Sequence, residues 1–381
     1  MNTTIRIVRI FTFVFLTLCI FSCNNQEPEL LDADQFEMVL DSKNVSLYTI
    51  KSGSGLIMQV TNFGGRVVSL WTPDKSGHYS DIVLGHKNIQ EYLNYNTGER
   101  FVGCVVGRYA NRIANGQFTL DSITYNVPKN NNGQSLHGGT RGLDMVVWNV
   151  DEVTENEIRM SYTSADGEEG YPGILKIAMT YTLTKSNEFK ITYRAIADKP
   201  TVVNLSHHGF FNLKGEGEGT INDHILTINA DFITPVDEVL IPTGELMPVE
   251  GSPFDFTKAT TIGERLNVNN EQLKFGKGYD HNWVLNKKNR DSVEFAASVY
   301  EPTSGRYMEV WTDQPGIQFY GGNFFAGQGE GKYGATFNYR EALALETQKF
   351  PDSPNQPAFP STRLDPDDEY RHTCIYRFSI R

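Results

Sequence analysis

Cysteine is scarce in this chain: four in 381 residues. Cys19 lies in an N-terminal apolar run, Cys23 directly follows it, and Cys104 and Cys374 stand far apart in the body. Two body cysteines make no disulfide framework, and their settings, V-G-C-V-V and H-T-C-I-Y, are those of buried free thiols. No C-x-x-C and no G-x-S-x-G nucleophile elbow occur, so those redox and acyl-transfer arrangements are excluded. Basic charge is also short, with 34 Lys and Arg against 46 Asp and Glu, a net −12, and no run of five or more like charges. Nucleic-acid binding needs a basic face, and the sequence offers none. The stretch G-E-G-E-G at 215–219 is acidic and cannot cradle phosphate; it reads as a mobile hairpin.

Long helical periodicity is nearly absent too, with 88–95 and 262–267 the short candidates. Strand signals fill the space instead. Residues 56–60, 157–163, 174–184, 189–197, 224–230, 293–300 and 307–311 are rich in β-branched and aromatic types, and K-I-A-M-T-Y-T-L-T and F-K-I-T-Y-R-A-I-A alternate in polarity. Asn115-Gly116, Asp166-Gly167, Pro172-Gly173, Ser304-Gly305 and Pro315-Gly316 punctuate them as turns. Many strands without intervening helices predict an all-β fold, a large antiparallel β-sandwich. No repeat or Pro/Ser-rich linker divides the body, so residues 36–381 read as one domain.

The first residues are of another kind. Arg6 and Arg9 precede an apolar run from Ile10 to Phe21, and no acidic residue occurs before Glu27. That is the layout of an export signal, too short to span a membrane comfortably. Ser22-Cys23 ends it in the manner of a bacterial lipobox. Residues 1–22 are expected to be removed, Cys23 to carry lipid, and 23–35 to act as a polar tether. An exported, membrane-anchored protein facing the periplasm or the cell surface is the expectation.

Reactive groups concentrate among turn residues in G-R-Y-A-N-R-I-A-N-G (107–116), S-L-H-G-G-T-R-G (135–142), N-L-S-H-H-G-F-F-N-L (204–213), G-Y-D-H-N-W (278–283), Q-P-G-I-Q-F-Y (314–320) and A-L-E-T-Q-K-F-P-D (344–352). Each has a plain reading: Glu346 as a solvent-facing strand residue, Arg108 and Arg112 as surface charges, Asp280 and His281 as a loop pair, His137 as a turn residue. Yet Glu346 shares a strand face with the small Ala344 and could line a cavity, where burial would make it a usable base. His137 precedes Gly138 and Gly139, where the backbone bends tightly. The weakly polar A-N-R-I-A favours at least one arginine held in a pocket by carboxylates. His207 and His208 are adjacent, so on an extended chain they face opposite ways. That divergence, with no H-x-x-x-H helix, argues against a zinc centre, and no metal ligand set is assigned. A histidine, a carboxylate, an arginine and amides in an aromatic cleft suit acid–base work on a polyhydroxylated molecule.

Together these segments resemble the aldose 1-epimerase (galactose mutarotase) family. The matching motifs run in the family's order: V-V-G-R-Y-A-N-R-I-A, S-L-H-G-G-T-R-G-L-D, D-G-E-E-G-Y-P-G, V-N-L-S-H-H-G-F-F-N-L, L-I-P-T-G-E, Y-D-H-N-W, Q-P-G-I-Q-F-Y and L-E-T-Q-K-F-P-D, from Val105 to Asp352. The resemblance implies a galactose mutarotase-like sandwich that interconverts the α and β anomers of an aldohexose such as glucose or galactose. It implies Glu346 as base, His208 as acid to the ring oxygen and His137 as a helper near that oxygen. It implies Asn111, Arg112, Asp280 and Gln318 as sugar contacts. His207 stands where the family usually has Asn, and is expected to be a hydrogen-bonded structural residue. No cofactor is required on this reading, though some bacterial members carry calcium, and the expected form is a monomer. Two rivals remain at this stage: a glycosidase or lyase, which normally needs two carboxylates flanking the bond, and a non-catalytic sugar-binding lipoprotein.

Overall fold

The structure, a computed structural model, describes residues 28–94 and 100–381. The proposed signal and Cys23 lie outside the described residues. Leu31 already docks on the body, exchanging two hydrogen bonds with the Gln59 side chain (2.9 and 3.0 Å), so the chain joins the sandwich slightly before residue 36.

Among the described residues the strands form two large antiparallel sheets, a four-stranded one and six two-stranded pairs. The nine-stranded sheet has the spatial order Asn149–Val153, Glu157–Ser164, Leu175–Leu183, Glu188–Ala197, Tyr370–Ile380, Arg306–Thr312, Glu294–Tyr300, Ile225–Ile228, Thr260–Thr261. The six-stranded sheet runs Phe210–Phe211, Leu343–Gln348, Gly316–Tyr320, Asp280–Leu285, Ala230–Thr234, Met247–Pro248. The third holds Leu47–Lys51, Ile57–Thr61, Arg66–Pro73 and Tyr79–Asp81, and a bridge from Val83 to Phe211 joins it to the six-stranded edge.

Alternation decides which faces meet. In Leu175–Leu183 the residues Leu175, Ile177, Met179, Tyr181 and Leu183 are buried, while Lys176 and Ala178 face solvent. Tyr370–Ile380 does the same with Tyr370, His372, Cys374, Tyr376 and Phe378. Each fully buried apolar side chain contributes roughly 1.5–3 kcal/mol, which fixes the register. The six-stranded sheet differs, since both of its faces are covered: all six residues of Leu343–Gln348 are buried. Leu343 and Leu345 belong to the main core, so Ala344, Glu346 and Gln348 look the other way, into the site.

Two expectations change here. The 215–219 stretch forms turns rather than a hairpin, and Glu216 is buried in an ion pair with Lys332 (2.6 Å), which also meets Asp81 (3.1 Å). Burial pushes the Glu216 carboxyl up to about 7. Arg108 is not a surface charge but buried, held by carbonyls and a hydroxyl, while Arg112 is the arginine that meets a carboxylate, Asp280. The Arg108 guanidinium donates to Ser164 Oγ (2.9 Å) and to the carbonyls of Ser164, Ala165, Pro172 and Gly173 (3.0, 3.2, 3.0 and 2.5 Å). It thereby pins the D-G-E-E-G-Y-P-G turn to the segment that carries Asn111 and Arg112. Arg108→Ala would orphan these acceptors, at a cost of roughly 3 kcal/mol. Urea unfolding should show that loss, whereas a midpoint equal to wild type would contradict the assignment.

Candidate active site

The site forms where a strand changes partners. Ser206 and His207 pair with Val106 and Val105, whereas Phe210 and Phe211 pair with Ala344 and Leu343. Between them His208 donates its backbone N–H to Cys104 O (2.8 Å), so it makes no ladder bond to the strand of Glu346. The two segments part at this point, and their side chains meet across the opening.

Alternation separates the histidines as the sequence suggests. The His207 ring turns into the main core, with centroids 5.5 Å from Phe189, 5.8 Å from Tyr181 and 6.4 Å from Tyr376. His207 is a structural residue in an aromatic cage, with the Gly103 backbone as the polar group that acts on the ring. Burial pushes this imidazole down to about 3 and keeps it neutral. The His208 ring faces the other way. Its Nε2 lies 3.5 Å from Glu346 Oε1, and its centroid is 5.1 Å from His137, 6.0 Å from Phe101 and 4.7 Å from Phe210.

Burial sets the electrostatics of this pair. It pushes His208 down to about 3 and raises the Glu346 carboxyl well above its ordinary value. Asp280 reinforces the rise at Glu346 and Arg112 opposes it. Both shifts disfavour charge, as desolvation must. The site thus favours the uncharged form of each side chain.

His137 reaches the pair from a tight loop. Gly138 has φ +92°, and a Cβ there would sit 1.8 Å from Gly107 O, so only glycine permits the approach. His137 Nδ1 accepts the backbone N–H of Asn111 (3.1 Å). Since that N–H can only donate, the single proton of this neutral ring is on Nε2. Asn111, at φ +66°, also accepts the Arg112 N–H on its side-chain oxygen (2.9 Å). The Arg112 guanidinium lies 3.8 Å from Asp280, whose other oxygen accepts from Gln318 Nε2 (2.7 Å). Gln318 in turn sits directly across the ladder from Glu346.

All seven sequence-predicted site residues thus meet in one place, and each is buried. Four polar atoms there, His208 Nδ1, Glu346 Oε2, Arg112 Nε and Gln318 Oε1, lack partners among the described residues. An orphaned buried polar group costs about 1–3 kcal/mol, and a polar ligand would relieve it. Sequence reading missed Phe101, which stacks on His208, and Glu169, which accepts the Thr140 N–H (2.6 Å) and steadies the His137 loop. Glu169 lay inside a quoted motif, but its partner is distant in sequence.

His137, His208 and Glu346 bring ligand-type atoms within 4.8 Å of one another, the one such trio among the described residues. They do not suit a cation. The Nδ1 of His137 is occupied by a donor and its Nε2 carries the proton, so neither lone pair is free for a metal. With one carboxylate the trio also lacks the oxygen set that calcium takes.

Comparison with known proteins fits this geometry. The aldose 1-epimerase family profile matches residues 46–377. Galactose mutarotase from Sus scrofa is 46% identical over 325 residues, covering 85% of this chain and 92% of that protein. Aldose 1-epimerase from Escherichia coli K12 is 35% identical over 343 residues, covering 89% and 96%. Among solved structures, an aldose epimerase homologue from C. elegans superimposes with TM-score 0.80 at 29% identity, covering 88% of this chain and 99% of the other. Galactose 1-epimerase from Lactobacillus acidophilus does so with TM-score 0.77 at 28% identity, covering 90% and 97%. The chain belongs to the aldose 1-epimerase family. Its activity is that of an isomerase interconverting the anomers of an aldose. Because the histidine–glutamate trio is unsuited to a metal, exhaustive dialysis against EDTA should leave the anomerisation rate unchanged, and a metal-restorable loss would refute the tautomer assigned to His137.

Proposed function

We propose that the enzyme acts on aldohexoses of the glucose and galactose type, with Glu346 as base and His208 as acid. The observation that carries this is the 3.5 Å approach of His208 Nε2 to Glu346 Oε1 at a buried site that disfavours charge on both. Ring opening requires Glu346 as carboxylate and His208 as imidazolium. That state has the same net charge as the carboxylic acid and neutral imidazole, and internal transfer reaches it. Glu346 removes the O1 proton, the C1–O1 bond becomes the carbonyl, the C1–O5 bond breaks, and O5 takes the proton from His208. The pair now stands as carboxylic acid and neutral imidazole. Rotation about C1–C2 presents the other carbonyl face, and the reverse transfers close the ring, so the proton count returns without loss to solvent.

His137 is a poor acid, since the Asn111 N–H blocks a second ring proton. It serves instead as a neutral Nε2–H donor near O5. Asn111, Arg112, Asp280 and Gln318 hold the hydroxyls. Because Asp280 is engaged by Arg112 and Gln318, a second free carboxylate of the glycosidase type is not at hand. Each positioned acid or base contributes about 10²–10⁴ in rate, or roughly 3–5 kcal/mol. That suffices for ring opening, which is spontaneous but slow in water.

Polarimetry on freshly dissolved α-D-glucose and α-D-galactose tests the assignment. Glu346→Gln should keep the fold and much of the affinity while lowering kcat by about 10²-fold or more. His208→Ala should fall comparably, while His207→Asn should remain active. If His207→Asn is the crippling change, the acid is assigned to the wrong histidine.

We also propose that the mature protein is an exported lipoprotein acylated at Cys23, which rests on Arg6, Arg9, the short apolar run and Ser22-Cys23. More than one acyl chain is needed for stable anchoring. The native protein should fractionate with membranes, and Cys23→Ser should leave catalysis intact. Mass spectrometry finding an unmodified peptide that spans Ser22-Cys23 would end the lipoprotein reading.

A further inference from the structure

The acid and the base belong to segments that have no backbone bond to each other at the site, yet their separation must be held closely for proton transfer. Backbone pairing between the two stops at Phe210–Ala344. Beyond the opening, side chains replace the missing rungs. Ser206 Oγ donates to Thr347 O (2.9 Å), and Asn204 Oδ1 accepts the Lys349 N–H (2.9 Å). A further bridge comes from the opposite sheet. His372, on the central strand Tyr370–Ile380, reaches across the core with Nδ1 3.0 Å from Leu205 O and Nε2 2.8 Å from Thr347 Oγ1. A carbonyl can only accept, so Nδ1 carries the proton and Nε2 accepts from the Thr347 hydroxyl. The same strand also grips Leu205 through Tyr370, whose hydroxyl accepts the Leu205 N–H (3.0 Å).

Leu205 lies three residues before His208, and Thr347 directly follows Glu346. We propose that His372 is a positioning residue for the reaction: by tying Leu205 to Thr347 it fixes the gap between His208 and Glu346, although it touches neither. This rests on the acid–base reading of that pair. His372 was quoted from the sequence only as a neighbour of Cys374, and both of its nitrogens are satisfied by these two partners alone. Burial pushes its imidazole down to about 4, in keeping with a neutral bridge rather than a proton carrier.

The test is steady-state kinetics of His372→Ala, His372→Gln and Thr347→Val, with thermal melting in parallel. Misplacement of reacting groups by about 1 Å can cost around 10²-fold. His372→Ala and Thr347→Val should therefore lower kcat by about 10-fold or more with KM within about 2-fold. Gln can both donate and accept, so His372→Gln should recover kcat to within about 3-fold of wild type. A merely structural histidine would lower the melting temperature without splitting kcat from KM. If His372→Ala fails to fold, Thr347→Val decides, because it preserves side-chain volume and removes only the hydroxyl. Folded variants with wild-type kcat would overturn the proposal. Glu346→Gln in the same assay separates the two claims: if it too keeps full turnover, the acid–base reading falls and the positioning role with it.

Discussion

The site exists because one strand cannot satisfy two neighbours at once. Residues 206–211 leave Val105–Val106 and join Leu343–Ala344, and the backbone bonds lapse at His208. In a continuous ladder His208 and Glu346 would be ordinary cross-strand neighbours on a closed sheet. The lapse opens a gap between two rigid elements, and both His208 and Glu346 are buried there. Low exposure then does the electrostatic work, since both ionisable groups lose solvent and each favours its neutral form.

Such a gap is costly, and the surrounding structure is built to offset it. Asn204 donates to Ala110 O (3.0 Å) and accepts from Lys349 N (2.9 Å), tying the segments of Arg112, His208 and Glu346 together with one side chain. The fully buried Arg66 donates to the carbonyls of Val102 and Asp144 (2.8 and 3.0 Å), holding the chain on either side of Phe101 and His137. Four of the polar atoms left without partners belong to the site, where sugar hydroxyls can complete them.

Much of this was legible in the sequence, for local reasons. Alternation in 174–184 and 189–197 marked the one-sided sheet, and Leu343 to Glu346 showed which way the base would face. The divergence of His207 and His208 followed from strand geometry alone. The resemblance supplied the roles, which composition and spacing could not. What escaped was non-local. The 11-residue strand Tyr370–Ile380 was not singled out, although it is central to the nine-stranded sheet, and His372 with it. Glu216 looked like part of an acidic loop because Lys332 is remote in sequence. For Glu216 and His372 the deciding partners lie more than 20 residues away, beyond any periodicity.

The central claim is that burial holds His208 neutral beside Glu346 across the neutral range. The pH dependence of kcat/KM tests it most directly, because that ratio reports the ionisations of the free enzyme. With His208 displaced from its ordinary 6.5 to about 3, kcat/KM measured by polarimetry on α-D-glucose should stay flat from about pH 7 down to about pH 5. An ionisation centred near the ordinary histidine value of 6.5 would show that the imidazole titrates as if in water, and would contradict the account.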